Sequence, residues 1–109
     1  MTEQTKPKPL PYSPVRIAGD LIFTAGQIGR DPETLIIEEG IENQTKKCME
    51  NLKMHLEKNG SSINNVIKFN VYLTDMADYA AMNDVYASFL SEPYPARTCI
   101  AVKELPRLG

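Results

Sequence analysis

The chain is 109 residues long, 42% hydrophobic and 24% charged, with a formal net charge of −2. That length suits one domain with a core of its own, and that composition is too apolar for a disordered chain. Its basic residues are scattered, without the stripe of a nucleic-acid binder, and no apolar run approaches the ~20 residues of a membrane span.

Residues 1–6 are polar and include Glu3, unlike a secretory signal or an arginine-rich transit peptide. The cytosol is therefore the expected compartment, with the mitochondrion as the alternative. Residues 1–11, with Lys6-Pro7-Lys8-Pro9 and Pro11, read as an extended, solvated arm ahead of a single domain over 12–109. The apolar runs Val15-Arg16-Ile17-Ala18 and Leu21-Ile22-Phe23-Thr24-Ala25 flank Gly19-Asp20, a pattern that predicts a β-hairpin. Gly26 interrupts the continuation of the second run, where a glycine marks a bulge or the close approach of a backbone or ligand. Asp31-Pro32-Glu33-Thr34 predicts a turn, and Leu35-Ile36-Ile37 a short strand.

Ile41, Thr45, Cys48, Leu52 and Leu56 form one narrow apolar stripe and predict a helix over about 41–59, stopped by Gly60. His55, the only histidine, sits at the edge of that stripe and reads as a surface residue, which excludes a metal site built on histidines. Residues 66–74 alternate as a strand. Ile67, Phe69, Val71 and Leu73 take one face, and Val66, Lys68, Asn70, Tyr72 and Thr74 the other. Thr74-Asp75 offers a cap to a second amphipathic helix marked by Tyr79, Met82, Val85, Tyr86 and Phe89, which must end before Pro93.

A last strand follows Pro93 and Pro95. Thr98, Ile100 and Val102 point one way from it; Arg97, Cys99 and Ala101 point the other. A guanidinium on the same face as a thiol and a methyl group must find an anion or stay wet, because a buried unpaired charge is costly. Arg97 therefore either reaches solvent or holds a carboxylate ligand in a fork of parallel hydrogen bonds. Cys48 and Cys99 lack short metal-type spacing and read as reduced thiols.

The order strand, strand, helix, strand, helix, strand predicts an α+β two-layer fold with both helices on one face of the sheet. Several strands are apolar on both faces, so the uncovered face predicts self-association.

These pieces in this order resemble the YjgF/RidA family of reactive-intermediate imine deaminases, also called the L-PSP or perchloric-acid-soluble protein family. The resemblance rests on Pro11-Tyr12-Ser13-Pro14, Gly19-Asp20-Leu21-Ile22-Phe23-Thr24-Ala25-Gly26-Gln27-Ile28 and Asn51-Leu52-Lys53. It continues through Val66-Ile67-Lys68, Val71-Tyr72-Leu73-Thr74-Asp75-Met76, Asn83-Asp84-Val85-Tyr86 and Pro95-Ala96-Arg97-Thr98-Cys99. It implies a chorismate-mutase-like α+β subunit with a mixed sheet, and a homotrimer with active sites between subunits. The implied reaction is hydrolysis of a small 2-imino acid (2-iminobutanoate or 2-iminopropanoate) to a 2-oxo acid and ammonia, without metal or organic cofactor.

By the same resemblance Arg97 is the catalytic, carboxylate-binding arginine. Main chain around Cys99 and Gly26 serves the reacting end of the substrate, Tyr12 lines the pocket, and Asn83 lies close to it. Each of these has a plainer reading: Tyr12 packing at a subunit boundary, Asn83 a polar residue on the exposed side of its helix, Gly26 a steric accommodation. Cys99 as a nucleophile is not expected, since nothing near it in sequence would activate the thiol. Ala25 stands where the family usually has serine. The sequence also ends at Gly109, where family members continue into a last strand bearing a water-positioning glutamate; either the chain is shortened there, or the subunit lacks an edge of its sheet and that acid. Two other functions are compatible with the resemblance: a non-catalytic regulator that binds a small carboxylate, and the endoribonuclease or translation inhibitor of older family labels. The negative net charge and lone histidine speak against the last.

Overall fold

The computed structural model describes residues 10–106. All but the last two residues of the arm expected over 1–11 therefore lie outside the described residues. Strands β1 (Val15–Ala18) and β2 (Leu21–Thr24) form the expected antiparallel hairpin, pairing Val15 with Thr24 and Ala18 with Leu21. Gly19 carries the positive φ of 58° at the first of the two loop positions, where a type II′ turn places a glycine. The turn after Arg30 is held by the Asp31 carboxylate, which accepts from the Glu33 and Thr34 backbone N–H groups at 2.8 and 3.0 Å. Those two bonds, Thr34 foremost, keep the Asp31 carboxyl below the ordinary range. The short strand expected at 35–37 is reduced to a single bridge between Arg30 and Ile37.

Helix α1 (Ile41–Lys58) ends as the sequence indicates. Gly60 has φ 80°, and Ser61 N–H and Gly60 N–H return to the carbonyls of Leu56 and Glu57, the bond pair of a Schellman motif. The stripe expected on this helix omits its most buried residue, Met49, which is 3% exposed. His55 is half-buried in the last turn rather than fully on the surface.

Strand β3 (Lys68–Leu73) is shorter than the expected 66–74. A 3-10 turn over Ile63–Asn65 sends Ile63 into the core and packs Val66 against it, so regular alternation begins only at Lys68. Ile67, expected to share a strand face with Phe69, is 72% exposed while Phe69 is buried. Asp75 caps the next 3-10 turn (Met76–Asp78) by accepting from Ala77 N–H, and this turn leads into α2 (Tyr79–Ser88). Strand β4 (Ala96–Ala101) lies parallel to β3, with Phe69 opposite Arg97 and Val71 opposite Cys99.

Met49, Ile63, Phe69, Leu73, Met82 and Tyr86 form the core between the two helices and β3. Phe69 and Tyr86 meet edge to face, 5.2 Å between ring centroids. The α+β class is as expected. In detail, though, the described strands form two two-stranded sheets, β1–β2 and β3–β4, instead of one continuous sheet. No helix among the described residues is long and apolar enough to cross a membrane.

Candidate active site

Alternation along β4 turns Arg97 and Cys99 toward the helices, where both are half-buried, and leaves Thr98 and Ile100 exposed. Opposite Arg97, α2 presents Tyr79, Asn83 and Tyr86, which share one helical face at spacings of four and three. Arg97 Nη1 donates to Asn83 Oδ1 at 2.6 Å, and Nη2 donates to the Tyr79 hydroxyl at 2.8 Å. The guanidinium carbon lies 4.9 Å from the Tyr86 ring centroid and 5.4 Å from that of Tyr79. The arginine is therefore held by two hydrogen bonds and by the π-faces of two rings. The chain itself thus orients the charge.

A guanidinium carries five N–H donors, so two bonds leave others for a ligand. Beside it opens a pocket of about 260 Å³ lined by Asn83, Tyr86, Ala87, Tyr94, Pro95 and Arg97. The Tyr86 hydroxyl is buried, with no hydrogen-bond partner among the described residues. Burial pushes its pKa up, and the neighbouring Arg97 charge partly offsets this.

The other candidate residues lie apart from this cluster. Tyr12, 64% exposed, and Gly26 line a second cavity of about 1330 Å³ that runs between β2 and β3. Tyr86 borders both cavities. Cys99 packs on the edge of the core as a free thiol. At Gly26 an added Cβ would meet nothing within 4 Å in this chain, so no close approach within the chain explains the glycine. The crowded glycine is Gly29, whose Cβ would stand 2.6 Å from Gln44 Cα. Asn83 is half-buried and bonded to Arg97, not an exposed helix residue.

Sequence reasoning missed Tyr79 and Tyr86 as partners of the arginine. Their helical spacing was read only as an apolar stripe, although two tyrosines and an asparagine on one face opposite a strand arginine already form a cation-holding set. Polar side chains of α1 fix the segment after β2. Cys48 Sγ donates to Gln27 C=O at 3.5 Å, and the buried Asn51 Nδ2 donates to Arg30 C=O at 3.1 Å. Burial raises the Cys48 thiol from 9.0 to about 11.

An α+β subunit that holds an arginine beside a small pocket presents a candidate site for a small molecule. The comparisons narrow the class further. Residues 3–109 match the family described as Endoribonuclease L-PSP. A RutC family protein of Pyrococcus abyssi is 48% identical over 103 residues, covering 93% of this chain and 81% of that protein. The crystal structure of RidA from the Antarctic bacterium Psychrobacter sp. superposes with a TM-score of 0.89 at 44% identity, over 91% of this chain and 80% of that one. The crystal structure of Escherichia coli TdcF with bound serine gives a TM-score of 0.85 at 34% identity, over 90% of this chain and 80% of that one. In sequence, TdcF is named "Putative reactive intermediate deaminase TdcF" and is 37% identical over 92 residues, 82% of this chain and 71% of that protein. The chain belongs to the YjgF/RidA (L-PSP) family and has its chorismate-mutase-like α+β fold.

Proposed function

We propose that the chain hydrolyses small reactive 2-imino acids such as 2-iminobutanoate and 2-iminopropanoate to 2-oxo acids and ammonia, working as a homotrimer in the cytosol, with the mitochondrion as the alternative. The observation that carries this reading is Arg97, fixed by Asn83 and Tyr79 beside a pocket sized for a small ligand. A carboxylate placed against its remaining N–H groups would be gripped by charge-assisted hydrogen bonds.

In the reaction, water adds to the carbon of the C=N bond and a proton goes to the nitrogen. The resulting carbinolamine expels ammonia as its hydroxyl proton leaves, and the carbonyl forms. The imine is already reactive, so orientation supplies most of what is required. In this reading Arg97 orients the substrate, and the main chain at Cys99 and Gly26 hydrogen-bonds its reacting end.

Tyr12 and Gly26 line a different cavity from Arg97. This supports a site assembled between copies, in which a neighbour brings its Tyr12 and Gly26 to this subunit's Arg97. Ile17, Leu21 and Phe23 on the hairpin and Tyr72 and Ile100 on the other sheet are all about half exposed or more, an apolar surface suited to such contacts.

A second reading has its own support. The TdcF structure holds serine, a stable carboxylate that is no imine. A chain that binds small carboxylates without turning them over would act as a sensor. One assay separates the two. Threonine dehydratase, threonine and semicarbazide are mixed with and without this protein, and formation of the 2-iminobutanoate semicarbazone is followed. A deaminase lowers the yield by consuming the imine first. Saturable 2-oxobutanoate binding with an unchanged yield establishes the sensor.

A further inference from the structure

We propose that Gln27 is a positioning residue of the site: its side-chain amide holds the Ala25–Gly26 peptide so that the Gly26 N–H is aimed at the reacting end of the bound molecule. The inference rests on the reading of Gly26 under the proposed function and adds to it the group that aims this donor.

The backbone fixes which way Gly26 faces. Ala25 N–H donates to Pro14 C=O at 2.9 Å, so residue 25 turns its polar groups toward β1. Antiparallel bonding alternates, so Gly26 turns its N–H the other way, toward the cavity that Gly26 and Gln27 line between β2 and β3. That N–H finds no acceptor among the described residues, and the space beside Gly26 is open, with nothing within 4 Å of an added Cβ. A free, unobstructed donor suits a ligand, but a glycine is ill suited to hold it still. Its φ and ψ are the least restricted of any residue, so its flanking peptides swing readily.

Gln27 supplies the restraint. Its Nε2 donates to Ala25 C=O at 3.2 Å. That carbonyl and the Gly26 N–H belong to one planar trans peptide, in which they point in opposite directions. Holding the oxygen on one side therefore fixes the N–H on the other. The next peptide is held as well, because Cys48 Sγ donates to Gln27 C=O at 3.5 Å. Gln27 is thus tied to α1 through its carbonyl while its side chain reaches back two residues.

As water adds to the carbon of the C=N bond, the nitrogen becomes more basic and accepts a hydrogen bond more strongly. A donor aimed there stabilises the transition state more than the bound substrate, so loosening it lowers kcat and leaves KM nearly unchanged.

Gln27→Met keeps the length of the side chain and removes the donor. Gln27→Glu keeps its shape and sets a carboxylate against the Ala25 carbonyl. Met is expected to lower kcat for 2-iminobutanoate about fivefold and Glu at least as much, with KM within about twofold of the unsubstituted protein and Tm within about 2 °C. A second measurement needs no turnover. 2-Oxobutanoate is titrated into isotope-labelled protein and the Gly26 amide is followed by NMR. Its proton is expected to move downfield saturably in the unsubstituted protein and to stay in place in Gln27→Met, which still binds the acid through Arg97. If the unsubstituted protein leaves the semicarbazone yield unchanged while this amide behaves as described, the deaminase reading falls and the role of Gln27 stands. The proposal is overturned by a Gly26 amide that does not move in the unsubstituted protein, by one that moves equally in Gln27→Met, by unchanged kcat in both variants, or by a rise in KM with kcat held, the signature of a Gln27 amide that touches the ligand itself.

Discussion

The pocket beside Arg97 and the cleft beside β3 meet at Tyr86 but are built from different materials. The pocket encloses about 260 Å³, and its recognition groups are side chains, arranged on one face of α2 opposite one position of β4. The cleft encloses about 1330 Å³ and runs between two strands, with Met49, Leu52 and Met82 of the helices among its lining. A fork of side-chain donors suits a small anion. A perturbation that affects one region and spares the other tests this division.

The largest effect is expected from Arg97→Ala. Two charge-assisted hydrogen bonds to a substrate carboxylate, at roughly 1.5–3 kcal/mol each, correspond to a loss of about a hundredfold or more in kcat/KM. The imine-trapping assay reads this, while circular dichroism is expected to show an unchanged fold because Asn83 and Tyr79 are not sealed from water. A near-normal rate would break the assignment of the pocket as the reacting site.

Next comes a pair of glycine substitutions on the cleft wall. Gly29→Ala drives a Cβ to 2.6 Å from Gln44 Cα, a backbone atom of α1 that cannot swing aside. Overpacking of this kind costs about 1–3 kcal/mol and lowers Tm by several degrees. Gly26→Ala meets nothing within 4 Å and is expected to leave Tm unchanged, although it does alter a wall of the cleft. Equal destabilisation by both would mean that the segment from 26 to 29 is not packed as described.

A smaller effect separates the regions by pH. The folded Cys48 thiol is raised from 9.0 to about 11 by burial, so between those values the folded state keeps a proton that the unfolded state has lost. Stability from this group is complete below pH 9 and falls as pH rises toward 11. Urea titrations at pH 8 and 10.5 are expected to show the loss, and Cys48→Ala is expected to remove that pH dependence.

Much of this arrangement was legible in the sequence, and the rest was not for identifiable reasons. The Gly19-Asp20 hairpin, the Gly60 stop and the direction of Arg97 each follow from a local rule, a dihedral preference or an alternation, and each appears in the structure, whereas Asp75 caps the 3-10 turn before α2 and not α2 itself. The exposure of Ile67 and the burial of Met49 were not foreseen, because burial there depends on the 3-10 turn at Ile63–Asn65 and on how α1 meets the core. The division into two sheets also escaped, since strand periodicity says nothing of which strands become neighbours. For the site, Arg97 and Asn83 come together while Tyr12 and Gly26 lie on another cavity, a separation that no spacing in one chain reveals. Tyr79 and Tyr86 were hidden because an aromatic stripe at helical spacing reads first as core.

Tyr79 also offers the finest test of the comparison. Its hydroxyl accepts from Arg97 Nη2 at 2.8 Å, and its ring contributes a face 5.4 Å from the guanidinium carbon. Tyr79→Phe keeps the ring and removes only the acceptor. The residue is 37% exposed, so water can take the bond and the cost to stability is expected to be negligible. What changes is how firmly the guanidinium is aimed, since its bond to Asn83 is then the one hydrogen bond left to fix its rotation between the two rings. A loss of about 1 kcal/mol in orientation corresponds to roughly a fivefold rise in KM. Arg97 grips the carboxylate before and during the reaction alike, so kcat is expected to hold while KM moves. A fall in KM would instead mean that the hydroxyl stands where the substrate carboxylate belongs, making Tyr79 a competitor of the ligand and not a support for the arginine.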